Sequence, residues 1–394
     1  MKITKVDVML MDLKPEDNKT WSPVLCRVYT DVGIYGDGEA AMAYGSGSTG
    51  AFSTISDFAK KIIGMDPMQT ELIWETLYKE TFWGQNGGPV IFSAISALDV
   101  ALWDIKGKYF QVPIYQLLGG KVRDSLRCYA SQLQFGWGDK KTPAVTIEDY
   151  VVNAKKAVEE GYDAIKIDFF TFDENGRRLN HEDTTRLLSP KYVNMVIRRL
   201  AAVREAIGPD VDIIMENHSY IDAQSAVQLG RLAEQYNIFC FEEPCTPNPK
   251  MNKYVCDKLN MPIAQGERIY TRWQYAPYFE DGSIQMIQPD IGNCGGITET
   301  KKVCDLAHIY DVGVQIHVCS SPLLTAAALQ LEAVIPNFTI HEHHVYNRYD
   351  YNKQLCKYDY QPEKGYFSIP DRPGIGNEFS DFVFENATMK ISIY

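Results

Sequence analysis

The sequence predicts an α/β protein: a (β/α)8-type barrel with an α+β N-terminal capping domain that is completed by the C-terminal tail. Eight short apolar runs lie between residues 126 and 342, and amphipathic stretches separate most of them. Six titratable residues recur at intervals of 26, 25, 23, 27 and 25, at or near the ends of such runs: Glu216, Glu242, Glu267, Asp290, His317 and Glu342. One strand, one loop and one helix fill that interval. In a closed parallel barrel the C-terminal strand ends form a ring, which predicts one shared site.

Three segments follow from the pattern. Residues 1–124 form the capping domain, with a strand at the start and helical spacing at 51–82 and 90–118. Residues 125–360 form the barrel, with a polar insertion at 172–190. Its strands are expected near 126–131, 163–168, 211–217, 238–243, 262–267, 285–289, 312–318 and 338–342. Residues 361–394 return to the capping domain as strands.

Composition and charge exclude several classes of protein. The formal net charge of −12 argues against nucleic acid and anionic membranes as partners, because no basic face offsets the repulsion. We recognise no signal peptide and no apolar run long enough to span a membrane. Nine cysteines without CxxC spacing favour reduced, mostly buried thiols in a cytoplasmic protein.

Glu216, Glu242 and Glu267 end three successive predicted strands. Adjacent parallel strands lie about 4.8 Å apart, so the three carboxylates are expected within several ångströms of one another. Such a cluster repels itself unless it is protonated or bridged by a cation. Three hard oxygen donors suit Mg²⁺, although ligand type alone leaves Ca²⁺ and Mn²⁺ open. The competing interpretation is three unrelated glutamates that are exposed or salt-bridged.

Asp290 and His317 end the next two strands and form a candidate catalytic pair. An aspartate bonded to one imidazole nitrogen fixes the tautomer and supports the positive ring after proton capture. His317 is therefore the predicted general base. The competing interpretation is a structural histidine, which is how we interpret His308 on a predicted helix.

Lys166 and Asp168 share one face of the second barrel strand, because side chains alternate with period two. Lys166 offers a cation to an anionic substrate. Asp168 either contacts substrate or simply pairs with Lys166. His218, two residues after Glu216, is a candidate general acid or else a loop residue that caps the following helix.

The chain resembles the enolase superfamily, in its mandelate racemase branch. The resemblance rests on the segment 95–107 (ISALDVALWDIKG), Phe241–Pro244 (FEEP), Gly266-Glu267, Gln288–Asp290 followed by Gly295-Gly296, and Ile316-His317. It implies a capping domain over a barrel mouth, and Mg²⁺ held by Glu216, Glu242 and Glu267. It also implies removal of a proton next to a carboxylate, giving an enediolate that the metal stabilises. It implies a small-molecule carboxylate substrate and a homo-oligomer.

Two departures from the branch refine this expectation. Its racemases carry Lys-x-Lys on the second strand, where this chain has Lys166-x-Asp168, and the first metal position usually holds Asp rather than Glu216. Acid-x-His at Glu216 and His218 resembles the sugar-acid dehydratases, in which that histidine helps a hydroxyl to leave. Glu342 matches the position that hydrogen-bonds a substrate carboxylate, which requires a shared proton.

The predicted reaction is dehydration of an aldonic or aldaric acid to a 2-keto-3-deoxy product. His317 takes the proton, Lys166 helps to hold the carboxylate, and His218 protonates the departing hydroxyl. Polar loops around Trp21, 44–50 and Trp83 are expected to cover the substrate.

Three alternatives stay open at this point. An epimerase, racemase or cycloisomerase would lose no water. A non-catalytic metal-binding relative would turn nothing over. A glycosidase that pairs Glu242 with Glu243 is disfavoured, because neighbours in a strand point to opposite faces.

Overall fold

The structure is a computed structural model that describes residues 1–13, 21–184 and 187–394. The predicted polar insertion at 172–190 is described except for residues 185 and 186, which lie outside the described ranges. The nine cysteines, all within these ranges, are free.

The N-terminal part combines an antiparallel sheet with helices. Its strands are β1 (Ile3–Leu10), β2 (Val24–Thr30) and β3 (Tyr35–Ala40). Its helices are α1 (Ser48–Ile62), α2 (Thr70–Lys79), α3 (Gly88–Phe110) and α4 (Ile114–Leu117). The region expected to be helical over 51–82 consists of two helices, separated by a segment that contains Gly64 and Pro67, two poor helix formers.

Eight parallel strands form the barrel within the described residues. They are β4 (Ser125–Ser131), β5 (Ala164–Asp168), β6 (Asp212–Glu216), β7 (Ile238–Glu242), β8 (Ile263–Gln265), β9 (Met286–Ile287), β10 (Gly313–Val314) and β11 (His341–His344). They pair in the order β10-β9-β8-β7-β6-β5-β4-β11, and a parallel bridge between Val314 and Phe338 joins the two ends. The predicted barrel fold is therefore confirmed, with β8 to β10 shorter than expected.

Helices connect and cover these strands. They are α5 (Ile147–Glu159), α6 (His181–Thr184), α7 (Pro190–Ile207), α8 (Ala223–Ala233), α9 (Pro249–Cys256), α10 (Thr271–Glu280), α11 (Gly296–Ile309) and α12 (Pro322–Glu332). Short 3₁₀ turns occupy Leu133–Phe135, Glu234–Tyr236 and Val345–Arg348.

The C-terminal segment serves both parts of the molecule. It contains β12 (Tyr366–Ser368), α14 (Asp381–Asn386) and β13 (Met389–Ile393), and α13 (Asp350–Lys353) precedes it. Strand β12 pairs with β4 of the barrel, whereas β13 pairs with β1 and becomes the edge of the N-terminal sheet. The segment boundaries at 124 and 360 stay predictions.

Helix α3 is the core helix of the capping part. By length and composition it could cross a membrane, which corrects the expectation that no apolar run is long enough. However, 72% of its most apolar window is buried inside the protein. Strand β3 lies unusually close to it: a Cβ added to Gly38 would lie 1.8 Å from the carbonyl oxygen of Ala97. Glycine is required there because the two backbones touch.

Helix α3 also caps a barrel helix. Ser96 Oγ accepts hydrogen bonds at 2.9 Å from the backbone N–H groups of Gly295 and of Gly296, and the Asp99 carboxylate accepts one at 2.9 Å from that of Thr298. The Thr298 hydroxyl donates a further bond to Asp99 at 2.6 Å. These N–H groups open α11 and would otherwise lack partners. The spacing of serine and aspartate in the α3 motif is thereby explained.

Candidate active site

The barrel interior changes from apolar to charged within two residues on each of four strands. Tyr129, Ala164, Ile214, Cys240 and Ile340 belong to one buried apolar cluster inside the barrel. Because side chains alternate along a strand, the residues two positions later point the same way. These residues are Ser131, Lys166, Glu216, Glu242 and Glu342, and all five are buried. The charged layer therefore lies at the C-terminal strand ends, where the sequence predicted it.

Lys166 is the centre of this layer. Its Nζ lies 2.6 Å from Glu242, 2.9 Å from Glu342 and 3.5 Å from Glu216. Burial alone would lower the pKa of Lys166, but the three carboxylates raise it well above its ordinary value. Lys166 is thus a permanent cation in this structure. Asp168 does not pair with it, so that interpretation of Asp168 is corrected.

Glu342 is fully partnered. Its carboxylate accepts hydrogen bonds from the Ser131 hydroxyl at 2.6 Å and the Val318 backbone N–H at 2.9 Å. Burial would raise the pKa of Glu342, yet the charge of Lys166 overcomes it and lowers the pKa. Glu342 is therefore ionised without substrate, and a shared proton would have to arrive with the substrate.

The acidic cluster differs from the predicted triad by one residue. One carboxylate oxygen each from Glu216, Glu243 and Glu267 lies within 4.8 Å of the others. Glu242, which we predicted in this place, instead directs one oxygen at Lys166. Strand β7 ends at Glu242, and Glu243 adopts a left-handed backbone with φ of 45°. Strand alternation ends there, so Glu243 can turn back to the same side.

The cluster has the donor chemistry of a divalent-cation site. Oε2 of Glu242 and Oε1 of Glu243 are buried, and no described residue donates a hydrogen bond to them. Buried carboxylate oxygens without donors are costly unless a cation meets them. Arg268 supplies part of the counter-charge, because its Nη1 pairs with Glu243 and lies 2.8 Å from Glu267. Hard oxygens in this number fit Mg²⁺.

His317 is held by Asp290 as predicted from their spacing. Its Nδ1 lies 2.7 Å from Oδ2 of Asp290, whose Oδ1 accepts a hydrogen bond at 2.7 Å from the backbone N–H of Gly292. Nε2 is thereby left to face the site, 3.2 Å from Glu267. Burial would lower the pKa of His317, but the charges of Glu267 and Asp290 raise it to about 10.

His218 forms a second pair of the same kind with Asp168. Its Nδ1 lies 2.6 Å from Oδ2 of Asp168, and its Nε2 lies 3.1 Å from Glu216. Burial would lower the pKa of His218, whereas the charges of Glu216 and Asp168 raise it to about 9. The alternative of a helix-capping loop histidine does not hold, because Asp222 caps α8.

Both histidines line one cavity of about 220 Å³ at the barrel mouth, together with Asp168, Asp290 and Glu267. Lys166, Glu216, Glu242 and Glu342 are fully buried in the adjoining charged layer and are not among the lining residues. The capping part contributes Ala41, Met42, Tyr44 and Pro89. Two of the three predicted covering loops therefore reach the cavity.

The two tryptophans predicted to bind substrate do not line the cavity. Trp21 is 2% exposed and packs in the core, where its indole N–H donates to Asn352 at 3.1 Å. Trp83 is 72% exposed and stacks edge-on with Phe82 at the surface. Neither tryptophan contacts the cavity in this structure, and their roles in substrate binding stay predictions.

Several lining residues escaped sequence reasoning. His344 follows Glu342 by two on β11, so alternation could have found it. Arg178 lies in the polar insertion, and Tyr220 follows His218 by two. Gln132, whose amide donates to Glu216 at 2.5 Å, follows β4 in a left-handed conformation that no simple pattern predicts.

Comparisons with known proteins give the family. Residues 4–119 match the sequence model of the mandelate racemase/muconate lactonizing enzyme N-terminal domain, and residues 149–383 match that of the enolase C-terminal domain-like family. The D-xylonate dehydratase of Haloferax volcanii is 34% identical over 378 residues, 95% of this chain and 86% of that protein. The D-galactonate dehydratase of Variovorax paradoxus is 32% identical over 361 residues, 90% of this chain and 88% of that protein.

Solved structures agree with this assignment. The crystal structure of an enolase superfamily member from Salmonella Typhimurium is 48% identical, with a TM-score of 0.96 and coverage of 100% of both chains. The 3,6-anhydro-D-galactonate cycloisomerase of Zobellia galactanivorans is 26% identical, with a TM-score of 0.83 and coverage of 99% of this chain and 100% of that one. The chain therefore belongs to the mandelate racemase/muconate lactonizing enzyme branch of the enolase superfamily.

Proposed function

We propose that this chain is a metal-dependent dehydratase of a sugar acid. It removes the proton next to the carboxylate and the hydroxyl on the adjacent carbon, so that water is lost and the resulting enol becomes a 2-keto-3-deoxy acid. The observation that carries the proposal is the pair of Asp–His units that face one cavity beside a buried acidic cluster. Elimination needs a base for one carbon and an acid for the next, and the two relatives named as dehydratases support the same reaction class.

His317 is the proposed base. Asp290 holds Nδ1, so Nε2 is the ring nitrogen that is directed into the cavity. A positive imidazole is stabilised by the same aspartate after the proton is taken. With its pKa raised to about 10, His317 carries a proton near neutral pH when no cation is bound, so its role as the base requires that the bound cation lower this pKa.

His218 is the proposed acid. Its pKa of about 9, raised against burial by the charges of Glu216 and Asp168, keeps it protonated near neutral pH. Asp168 fixes the ring through Nδ1, which leaves Nε2–H to protonate a departing hydroxyl. This role needs no movement of Asp168.

Glu216 and Glu267, with Glu243 as the third carboxylate, would hold Mg²⁺. Glu242 stays a candidate ligand, because its Oε2 lacks a donor among the described residues. A bound divalent cation would supply the positive charge that stabilises the developing enediolate and lowers the pKa of nearby histidines. We retain Lys166 and Glu342 as partners of the substrate carboxylate, which must then bind against the charged layer.

The roles of the histidines can be separated by following two events in the same reaction. His317→Asn should abolish both exchange of the α-proton with solvent deuterium and release of the keto acid. His218→Asn should reduce keto-acid release by about 10²–10⁴-fold, the usual contribution of a general acid, while exchange continues. NMR and a keto-acid assay over a panel of sugar acids measure both. Full dehydration by either variant refutes the role assigned to that histidine.

Binding of Mn²⁺, followed by its electron paramagnetic resonance signal, tests the ligand set without turnover. Outer-shell substitutions typically weaken metal binding 10–100-fold, so loss of a ligand should cost about 100-fold or more. We expect that loss for Glu243→Gln and not for Glu242→Gln. Glu159→Gln, on the exposed face of α5, is the matched control. Loss of Mn²⁺ affinity in Glu242→Gln but not in Glu243→Gln would instead support the triad predicted from sequence.

A second candidate is an epimerase or cycloisomerase that uses the two histidines from two sides of the substrate. The two histidines that line the cavity support this alternative, because each pairs with an aspartate through Nδ1. A cycloisomerase also occurs among the structural relatives. Deuterium incorporation with a change of configuration, and with no keto acid, would decide for this alternative.

A further inference from the structure

We propose that Arg178 binds a second carboxylate at the far end of the substrate, so that the preferred substrate is a diacid of the aldaric type rather than a monoacid. This inference rests on the proposed function and names its substrate class. The relatives named above act on galactonate and xylonate, which carry one carboxylate. The charges around the cavity favour a substrate with a second carboxylate.

Two permanently cationic side chains are among the described lining residues, Arg178 and Arg268. Arg268 is already paired with Glu243 and Glu267. Arg178 has no carboxylate partner among the described residues; its Nη2 donates to the Tyr44 hydroxyl at 3.0 Å, and it interacts with the hydroxyl of Tyr220. A half-buried guanidinium without an anion retains donors for a planar, bidentate partner such as a carboxylate.

The backbone holds Arg178 in place before substrate binds. Phe172 and Arg178 form an antiparallel bridge, and the intervening turn is closed by a hydrogen bond of 2.9 Å from the Asp173 N–H to the Arg177 carbonyl. The Asp173 carboxylate accepts from the N–H groups of Asn175 at 2.8 Å and of Arg177 at 3.0 Å. A fixed backbone reduces the entropy lost when the guanidinium binds an anion.

Neighbouring arginines on this turn have opposite surroundings. The Arg177 side chain is exposed and pairs with Asp183 at 2.8 Å, whereas Arg178 faces the cavity. Successive side chains of an extended segment point to opposite sides, which fits this difference. Arg177 is therefore a control in the same turn, with the same side chain and no contact with the site.

Tyr220 links Arg178 to the proposed acid, and all three residues line the same cavity. The ring centres of His218 and Tyr220 are 6.0 Å apart, and Arg178 contacts the hydroxyl of Tyr220. A six-carbon chain has five carbon–carbon bonds of about 1.5 Å, and a zigzag of that length extends roughly 6 Å. A diacid of that length therefore has its two carboxylates well separated, as simultaneous binding at the charged layer and at Arg178 requires.

The test compares hexaric and hexonic acids of matched configuration, with kcat/KM for keto-acid release as the first readout. A charge-assisted pair contributes about 1.5–3 kcal/mol, which corresponds to roughly 10- to 150-fold. Arg178→Met should lower kcat/KM for the diacid by that factor and change the value for the monoacid less than threefold. Arg178→Lys should fall in between, because it keeps the charge and loses the planar fork. Arg177→Lys, which keeps a cation beside Asp173 and Asp183, should leave both values unchanged.

Calorimetry with the His317→Asn variant and Mg²⁺ gives a second readout that needs no turnover. The diacid should bind at least tenfold more tightly than the monoacid, and Arg178→Met in that background should abolish the preference. Preference for the monoacid, or an equal loss for both acids in Arg178→Met, overturns the inference. Absence of keto acid from every substrate refutes the proposed function instead, and the calorimetric preference still decides the role of Arg178.

Discussion

Replacement of Asp99 by asparagine should make the protein more stable at alkaline pH. Asp99 is 3% exposed and joins α3 to the start of α11 through Thr298. Burial raises the pKa of Asp99 from 3.8 to about 7, although the hydrogen bonds from Thr298 oppose the shift. Between these two values the folded protein holds a proton that the unfolded chain has released. Stability contributed at Asp99 is therefore lost as pH rises from about 4 to about 7.

The size of the effect follows from the shift. One pKa unit corresponds to 1.36 kcal/mol, so a shift of about three units amounts to about 4 kcal/mol, of which about 3 kcal/mol falls between pH 5 and pH 8. The asparagine side chain of the Asp99→Asn variant does not titrate, and its amide can accept from the Thr298 N–H and donate to the Thr298 hydroxyl. The variant should thus gain about 3 kcal/mol relative to the original protein when pH is raised from 5 to 8.

Urea unfolding at pH 5 and pH 8, followed by circular dichroism and tryptophan fluorescence, measures this double difference. Contributions from other titrating groups cancel, because both proteins share them. Asp57→Asn, at an exposed position on α1, serves as the control and should show no such gain. A double difference below 1 kcal/mol, or one of opposite sign, would show that burial does not raise the pKa of Asp99.

Three further outcomes are expected. Asp290→Asn should lower α-proton exchange about 100-fold or more, because the fixed amide would present its NH₂ to Nδ1 of His317 and force the wrong tautomer; an exchange rate above one third of the original would contradict this. Lys166→Met should lower the free energy of unfolding by about 3–5 kcal/mol at pH 8, because three buried carboxylates lose their cation; unchanged urea midpoints would disprove the central role of Lys166. Gly38→Ala should cost about 1–3 kcal/mol or more in thermal unfolding, whereas Gly50→Ala, whose Cβ would meet neighbours at 3.4 Å or more, should cost little.

The barrel could be predicted from sequence because its signal is periodic. Titratable residues at or near the ends of six apolar runs identify both the strands and the end at which the site lies, and Asp290 and His317 line the cavity at that end. The alternation of side chains did not predict the direction of Glu243, which lies one residue beyond the end of β7. Alternation placed Glu243 opposite Glu242, but the left-handed backbone at Glu243 lies outside the strand.

Residues in loops could not be placed, because their direction depends on tertiary contacts. Trp21 and Trp83 lie in or beside loops expected to cover the substrate, yet one is buried in the core and the other faces solvent. Arg178, by contrast, lines the cavity although the sequence did not predict it. Its segment has the composition of a polar insertion, and the turn that holds it is stabilised by hydrogen bonds to Asp173. Sequence periodicity therefore predicts the residues at the strand ends better than the loop residues that line the rest of the cavity.

The hydrogen bonds from α3 to the start of α11 also limit how the enzyme can admit its substrate. Moving the whole capping part away from the barrel would break these four hydrogen bonds, at a net cost of about 1 kcal/mol each. A penalty near 4 kcal/mol leaves roughly one molecule in a thousand open in this way, before the pairing of β13 with β1 is counted. We therefore expect the capping part and the barrel to move together, and substrate to enter through smaller movements of the residues that border the cavity, such as Ala41, Met42 and Tyr44.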